Sequence, residues 1–291
     1  MTDSYHHQPT TYSGFITDTT RWDDFQSRNN DIFICTPPKC GTTWAQAICA
    51  MLIFGTANHG KNPNEISPWI DAKFEPLKEY LEKVEAQSHR RFFKTHTPLD
   101  GIPYIDSCTY LVVVRDPRDA YLSGIKHRDN MMNEEAANTI YSRSDDPFGD
   151  WLNTSMDPNH WDAQCFEAVV RVYQSYWAAR ETNNVHLYHY ADMLEDLRSA
   201  IASMAEAISV SLSEEQLEEF AEAASFGAMK KEAERYAPYA DIGFWKNTSG
   251  FFANGGVNQW ESKLTADQNE AFLNRASELL SEEERSWLLK S

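Results

Sequence analysis

Residues 31–44 read DIFICTPPKCGTTW, an apolar run that passes through a turn with proline and glycine into two threonines. This order predicts a strand, a tight turn and the start of a helix. The unpaired N–H groups of a helix N-terminus attract anions, and Lys39 adds a full positive charge beside Gly41. The segment predicts a P-loop-like phosphate-binding loop, although a plain strand–turn–helix with a buried Trp44 also fits it. The Gly-Lys-Ser/Thr order of nucleoside-triphosphate loops is absent.

Further apolar runs at residues 91–94, 108–114 and 185–190 predict three more strands, and helical apolar spacing predicts helices between them. Because strands and helices alternate, we predict an α/β fold of three layers, with a doubly wound, mostly parallel sheet. No repeat or linker divides the chain, so we expect one domain over residues 1–291. Ligands of such folds bind at the carboxyl edge of the sheet.

The charge and the cysteine content restrict the partners of the chain. Its formal net charge of −18 disfavours nucleic acid and anionic membrane surfaces, so an anion site must be a local basic cluster. Five cysteines without a CxxC pair predict free thiols in a reducing compartment rather than disulfides or a zinc site. With no apolar leader and no membrane-spanning run, we expect a cytoplasmic protein.

Basic and hydroxyl-bearing residues follow the second and third predicted strands. Lys94 and His96 come at the end of the second strand, where a neutral imidazole could act as a general base. Arg115 follows the third strand, and Ser123 lies about two turns into the next helix, so the two could grip a phosphate together. A structural histidine and a surface salt bridge are the alternative interpretations of His96 and Arg115.

Several segments in this order resemble the motifs of the sulfotransferases that use 3′-phosphoadenosine-5′-phosphosulfate (PAPS). Residues 39–44 resemble their 5′-phosphosulfate loop, and residues 94–96 resemble the Lys-Thr-His segment that carries their base. Residues 115–123 resemble the Arg-x-Pro-x-Asp…Ser motif that binds the 3′-phosphate. Each motif is weak alone, whereas their common order is far more specific.

Three later segments extend the resemblance over residues 30–270. Residues 188–193 resemble a Tyr-Glu-Asp-Met turn near the nucleotide base, and residues 224–230 resemble a Ser-Phe-x-x-Met-Lys segment that flanks adenine. Residues 250–260 resemble a Phe-x-Arg-Lys-Gly-x-x-Gly-Asp-Trp segment.

The resemblance implies an enzyme that transfers a sulfonate from PAPS to a hydroxyl or amine of a small molecule and releases PAP, without a metal. In that scheme Lys39 stabilises the leaving oxygen, Lys94 helps to hold the transferring group, and His96 takes the acceptor's proton. The cofactor contacts that it implies come from Lys39, Cys40, Gly41, Thr42, Thr43, Trp44, Arg115, Ser123, Tyr190, Phe226, Met229 and Gly255.

The chain departs from the family pattern in its last motif. Ala253 and Asn254 stand where the family has an Arg-Lys pair that contacts the 3′-phosphate, and Lys246 and Lys263 are the candidates to compensate. The Lys and Val of the usual family dimer motif are absent as well, so a monomer and a homodimer both stay open.

Two other functions stay open beside sulfonate transfer. A small-molecule kinase on the same fold would need ATP and Mg²⁺, and the absent Gly-Lys-Ser/Thr order weighs against it. A non-catalytic protein that holds PAP or another ligand would explain the lost Arg-Lys pair, whereas the intact Lys39 and His96 weigh against it.

The acceptor cannot be read from the sequence. Residues 131–161 and 238–252 are polar and weakly periodic, and we expect them to be mobile, irregular lids over the acceptor. Loop aromatics could either wall an apolar pocket or anchor their loops; these are Trp69, Phe74, Tyr104, Tyr141, Phe148, Trp151, Phe244 and Trp245.

Overall fold

Four parallel strands form the sheet of the protein. The computed structural model describes residues 9–141, 143–252 and 255–290. The strands are β1 (Ile32–Cys35), β2 (Phe92–Thr95), β3 (Thr109–Val114) and β4 (Val185–His189). They lie in the order β2-β1-β3-β4. All four predicted strands, the first of them expected over residues 31–36, are confirmed, each with its boundaries within one residue of the prediction.

Helices occupy most of the connections between and after the strands. They are α1 (Thr42–Phe54), α2 (Pro63–Ile66), α3 (Leu77–Glu85), α4 (Pro117–Asn130), α5 (Glu134–Ile140), α6 (Pro147–Asn153), α7 (Phe166–Trp177), α8 (Tyr190–Glu195), α9 (Leu197–Ala207), α10 (Glu214–Ala223), α11 (Phe226–Lys231), α12 (Ala233–Tyr236), α13 (Ala266–Leu279) and α14 (Glu282–Leu288). Short 3₁₀ segments are Thr19–Asp24, Leu99–Gly101, Pro158–His160, Ala240–Ile242, Thr248–Phe251 and Gln259–Ser262. Strands and helices therefore alternate in the way that the sequence predicts.

Both faces of the sheet are buried by helices. In β1, Phe33 and Cys35 pack on one face with residues of α4, α7 and α13. Ile32 and Ile34 pack on the other face with residues of α1, α9 and α10. Because successive side chains of a strand point to opposite faces, a strand that is covered on both sides must be apolar throughout. The predicted three-layer α/β fold is confirmed.

The strand order brings three functional segments to one edge of the sheet. β1 lies between β2 and β3, and Cys35 at its carboxyl end is opposite Thr95. The loop after β1, which carries Lys39, therefore lies between His96 after β2 and Arg115 after β3. This is the edge at which open α/β sheets bind their ligands.

The first of the two expected lids contains two helices rather than irregular structure. Asn133 and Asp146 cap α5 and α6, since their side chains accept hydrogen bonds from backbone N–H groups of the first turns. Phe148 and Trp151 of α6 are buried, and both rings pack against Tyr121 of α4. The prediction of an irregular segment is wrong here, because local caps and a packed aromatic face stabilise short helices.

Two further observations concern the chain as a whole. All five cysteines are buried and free, as their spacing predicts. Within the described ranges, no helix has the length and apolar content needed to cross a bilayer.

Candidate active site

A pocket of about 310 Å³ opens at the carboxyl edge of the sheet. The loop after β1, the ends of β2 and β3, and α4 contribute to its walls. The residues that the sequence analysis selected and that line this pocket are Lys39, Gly41, Thr42, Thr43, Trp44, Lys94, His96, Arg115, Ser123, Tyr190, Phe226, Met229 and Gly255. The structure thus brings to one pocket all of the predicted catalytic and cofactor-binding residues except Cys40.

The loop between β1 and α1 has the backbone conformation of an anion-binding turn. Lys39 and Gly41 both adopt left-handed conformations, with φ of 66° and 104°. Gly41 is the N-cap of α1 and offers no side-chain cap, so N–H groups of the first turn stay available to a ligand. A Cβ at position 41 would lie 3.1 Å from the ring of Tyr190. Glycine is therefore favoured here by both the backbone conformation and the packing.

The ammonium of Lys39 lies in the pocket wall between an imidazole and an aromatic ring. Its Nζ is 2.8 Å from His127 Nδ1 and 4.9 Å from the centre of the Phe251 ring. Burial, followed by the charges of Arg115 and Lys94, lowers the pKa of Lys39 to about 7. A bound anion would favour the charged form of this side chain.

The imidazole of His96 has a hydrogen-bond partner that assigns its tautomer. His96 Nδ1 lies 2.8 Å from the carbonyl oxygen of Thr36, which can only accept. Nδ1 therefore carries the proton, and Nε2 has a lone pair. Burial, followed by the charge of Lys94, lowers the pKa of His96 to about 4, so the ring is neutral at pH 7. Trp69 packs edge-on against it, with ring centres 4.9 Å apart.

The hydroxyl of Thr36 connects the phosphate loop to His96. Thr36 Oγ1 lies 2.6 Å from Thr42 Oγ1 at the start of α1 and 3.3 Å from His96 Nδ1. The Thr36 hydroxyl therefore links the start of α1 to the His96 imidazole through two hydrogen bonds.

Lys94 extends from β2 into the same wall and is buried. Its Nζ lies 5.1 Å from the centre of a Trp69 ring, a cation–π contact. Burial lowers the pKa of Lys94 to about 8. The pocket therefore holds two lysines whose charge depends on what is bound there.

The guanidinium of Arg115 forms a second cationic side of the pocket. It donates to the carbonyl oxygen of Gly256 at 2.5 Å, lies 3.5 Å from Asp119, and stands 4.6 Å from the ring centre of Tyr190. Its Nε is buried and has no hydrogen-bond partner among the described residues. An unsatisfied buried donor costs about 1–3 kcal/mol, which a ligand oxygen would relieve.

Aromatic side chains form the wall between the phosphate loop and Arg115. Trp44 Nε1 donates to the Ala224 carbonyl at 2.8 Å, and its ring packs edge-on against Tyr190. The Tyr190 hydroxyl donates to the Gly255 carbonyl at 3.1 Å. Gly255 has a φ of 61°, and a Cβ there would lie 2.2 Å from the Phe226 ring. These contacts place the rings of Trp44, Tyr190 and Phe226 together in one wall of the pocket.

Comparison with known proteins decides the family of the chain. Residues 29–283 match the sulfotransferase domain family. The chain belongs to the sulfotransferase family. The glycolipid sulfotransferase of Mycobacterium tuberculosis is 30% identical to this chain, in an alignment that covers 95% of this chain and 93% of that relative. The amine sulfotransferase of Oryctolagus cuniculus is 26% identical over 259 residues, which cover 86% and 80%.

Solved structures share the fold. Retinol dehydratase in complex with retinol and PAP superposes with a TM-score of 0.72 and 20% identity, and the match covers 91% of this chain and 87% of that one. A mouse sulfotransferase complexed with PAP superposes with a TM-score of 0.68 and 19% identity, over 92% and 91% of the two chains. The predicted family and enzyme class, a sulfotransferase, are confirmed.

Cys40 is the predicted cofactor residue that does not line the pocket of this sulfotransferase. Its side chain is buried, with Sγ 3.7 Å from the Pro38 carbonyl oxygen, and its N–H donates to the Pro37 carbonyl at 3.3 Å. Burial raises the pKa of the thiol to about 12. The Cys40 side chain therefore packs inside the turn, and its predicted contact with the cofactor stays a prediction.

The two expected compensating lysines lie outside the pocket lining. Lys246 Nζ donates to the Asp129 carbonyl oxygen at 3.0 Å, on the surface. Lys263 also does not line the pocket. Ala253 and Asn254, which stand where the family has its Arg-Lys pair, lie outside the described residues. Over the same described ranges, no group of three or more His, Cys, Asp or Glu residues is placed to hold a metal ion.

Two residues of α4 that line the pocket were not predicted from the sequence. Lys126 and His127 follow Ser123 by three and four positions, and all three line the pocket. Burial, followed by the charges of Lys263 and Arg115, lowers the pKa of Lys126. Helical spacing was the missed signal, since residues three and four apart share a helix face.

The loop aromatics divide between the two interpretations. Five of them line the pocket, namely Trp69, Phe74, Tyr141, Phe244 and Trp245. Tyr104, Phe148 and Trp151 pack into the core instead. At the rim, Phe15 and Phe74 are 62% and 49% exposed.

Proposed function

We propose that the protein transfers a sulfonate group from PAPS to a hydroxyl or amine of a small molecule and releases PAP. The observation that carries this proposal is one pocket with a helix N-terminus and Lys39 at one side, Arg115 and Ser123 at another, and a neutral His96 between β2 and the loop. PAP in solved structures of the same fold supports it.

The loop after β1 holds the phosphosulfate in this proposal. Thr42, Thr43 and the first-turn N–H groups of α1 bind the 5′-phosphate, and Lys39 lies near the oxygen that bridges phosphorus and sulfur. The bond between sulfur and that oxygen breaks as the acceptor oxygen or nitrogen bonds to sulfur. Like phosphoryl transfer, this in-line step depends on positioning and electrostatics, and the Lys39 charge stabilises the leaving oxygen.

His96 is the general base in this proposal. Its Nδ1 is held by Thr36, so the free lone pair on Nε2 takes the acceptor's proton. Lys94, beside it on β2, binds an oxygen of the sulfonate during transfer. Both roles need a neutral imidazole and a cation next to each other, which the geometry provides.

The nucleotide end of PAPS occupies the second cationic side. Arg115 and Ser123 bind the 3′-phosphate, and Lys126 takes the place of the lost family cations. The adenine lies against the part of the pocket wall that is formed by Trp44, Tyr190, Phe226, Met229 and Gly255. The unsatisfied Nε of Arg115 supports an anion at this place.

The acceptor has an apolar or amphiphilic body in this proposal. Aromatic rings line the pocket, and Phe15 and Phe74 extend the apolar surface to an exposed rim. A relative of similar length is a glycolipid sulfotransferase, which supports an acceptor of this class.

We further propose that residues 1–291 act as one domain and that the protein works in the cytoplasm. The five free cysteines support a reducing compartment.

A thermal-shift panel of PAP, PAPS, ATP and ATP–Mg²⁺ tests the cofactor, because ligands that bind the folded state stabilise it. We expect PAP and PAPS to raise Tm, and ATP with or without Mg²⁺ to have little effect. Stabilisation by ATP–Mg²⁺ alone would favour a kinase. An assay with radiolabelled PAPS and hydroxylated amphiphiles then tests transfer, and binding of PAP without any transfer would favour a non-catalytic protein.

A further inference from the structure

His127 lies on α4, one turn beyond Ser123, and lines the same pocket. None of the motifs that imply cofactor contacts includes it. Its ring packs edge-on against Trp245 and Phe251, with ring centres 4.7 and 6.0 Å away. This packing fixes the imidazole, so its two nitrogen atoms have defined positions.

The Nδ1 of His127 is the one hydrogen-bond acceptor that the described residues offer to the Lys39 ammonium, at 2.8 Å. When Lys39 is charged, its ammonium can donate but cannot accept, so His127 Nδ1 then carries no proton and the neutral ring keeps its proton on Nε2. Burial, followed by the charge of Lys39 and the neighbouring His96 and Lys94, lowers the pKa of His127 well below its usual value. The ring therefore stays neutral and able to accept.

A neutral acceptor suits a lysine that must act on an anion. A carboxylate at this place would cancel the ammonium charge, and an anionic cofactor would have to displace it. An imidazole nitrogen instead orients the ammonium and favours its charged form, while the net positive charge remains. The face of Phe251, 4.9 Å from Nζ, has the same property on another side.

From this geometry we propose that His127 is a positioning residue for sulfonate transfer, which holds the Lys39 ammonium in place for the bridging oxygen of the phosphosulfate. The two pocket histidines then carry opposite tautomers: His96 has a lone pair on Nε2, and His127 has a proton there. The reaction named here rests on the proposed function, whereas the contact between Lys39 and His127 does not.

Matched substitutions of His127 test this role. His127→Asn keeps an oxygen close to the place of Nδ1, and His127→Leu has similar size without an acceptor. The pKa of Lys39 is followed in the free protein by NMR of isotope-labelled lysine side chains, with Lys39→Ala to assign the signal. Besides His127, the groups that face this ammonium are Arg115, Lys94, His96 and the Cys40 thiol, which stay unchanged.

We expect His127→Leu to lower the pKa of Lys39 by about one unit, a tenfold shift in its protonation equilibrium. We expect kcat at saturating PAPS to fall by up to about tenfold at a pH above the pKa of Lys39 in that complex, and His127→Asn to retain most of both quantities. Circular dichroism verifies folding, and His127→Ala replaces the Leu variant if that variant does not fold.

An unchanged pKa of Lys39 in the Leu or Ala variant would overturn the proposal. Equal losses in the Asn and Leu variants would overturn it as well, because the packing of the ring would then be responsible. A parent protein that transfers no sulfonate would contradict the proposed function and leave the NMR titration interpretable, so the two failures are distinguishable.

Discussion

The Nζ of Lys126 donates a hydrogen bond to Gln259 Oε1 at 3.2 Å, which links α4 to the 3₁₀ segment before α13. Gln259 Nε2 in turn donates to the Gly256 carbonyl oxygen, the group that also accepts from Arg115. Two cations, Gln259 and the backbone of Gly256 therefore form one hydrogen-bonded unit.

Lys126→Ala should weaken PAP binding about tenfold, because a charged partner of the 3′-phosphate is removed. Isothermal titration calorimetry at two salt concentrations measures the effect, and the salt dependence should become shallower. Lys246→Ala is the matched control, since that lysine lies outside the pocket lining. If the two variants bind PAP equally well, Lys126 does not contact the 3′-phosphate.

Lys39→Ala should reduce kcat at saturating PAPS by about 10²–10³, the loss typical of one preorganised charge. The unfolding temperature at about pH 6 should hold or rise, because the depressed pKa of Lys39 means that folding disfavours its ammonium. Radiolabel transfer and calorimetric unfolding measure the two quantities. Retention of more than about a tenth of the parent rate would remove Lys39 from the chemistry.

PAP binding at about pH 8 should take up protons. Free Lys39 and Lys94 have pKa values of about 7 and about 8, so both are substantially neutral there, and phosphate oxygens would raise these values. Affinity should then fall as the pH rises above about 7. Calorimetry in buffers of different ionisation enthalpy counts the protons. Proton release on binding, or no exchange, would contradict these assignments.

His96→Asn should lower kcat by about 10²–10⁴ while the Kd for PAP changes little, because a general base acts in the transition state. In the parent protein, protonation of His96 should not lower kcat/KM until the pH falls to about 4. Rapid-quench rates and a pH profile measure both. An acid limb near pH 6.5 would mean that the imidazole has an ordinary pKa.

Gly255→Ala should destabilise the protein more than Gly60→Ala and should also weaken PAP binding. Both glycines have positive φ, 61° and 69°, so the backbone strain of alanine is similar. A Cβ at 255 would overlap the Phe226 ring, whereas nothing lies within 4 Å at 60. The difference in free energy of unfolding, about 1–3 kcal/mol, isolates the overlap. Equal losses would show that Phe226 moves aside freely.

The strands could be predicted because they depend on local apolar patterns, whereas most of the predicted cofactor residues came from the resemblance to a known family. A continuous apolar run such as residues 108–114 suits a strand covered on both faces. Lys39, His96 and Arg115 could be placed together because parallel strands end at a common edge.

Sequence patterns do not predict structure where tertiary contacts decide the outcome. α5 and α6 are short, and a buried partner such as Tyr121 is needed to stabilise α6. Their caps, Asn133 and Asp146, were readable as helix starts but do not by themselves show that a helix continues. Lys126 and His127 were missed because their roles depend on Gln259 and Lys39, which are distant in the chain.

The left-handed backbone at Lys39 means that selection for stability and selection for activity favour different residues at this position. A non-glycine residue in this conformation costs about 1–2 kcal/mol of folding free energy, and glycine would remove that cost. Glycine would also remove the buried ammonium, whose charge folding disfavours. Random libraries screened for thermal resistance alone would therefore enrich Lys39→Gly, which we expect to fold better and to transfer sulfonate far more slowly. Thermostable descendants of this enzyme should be selected on product formation after heating.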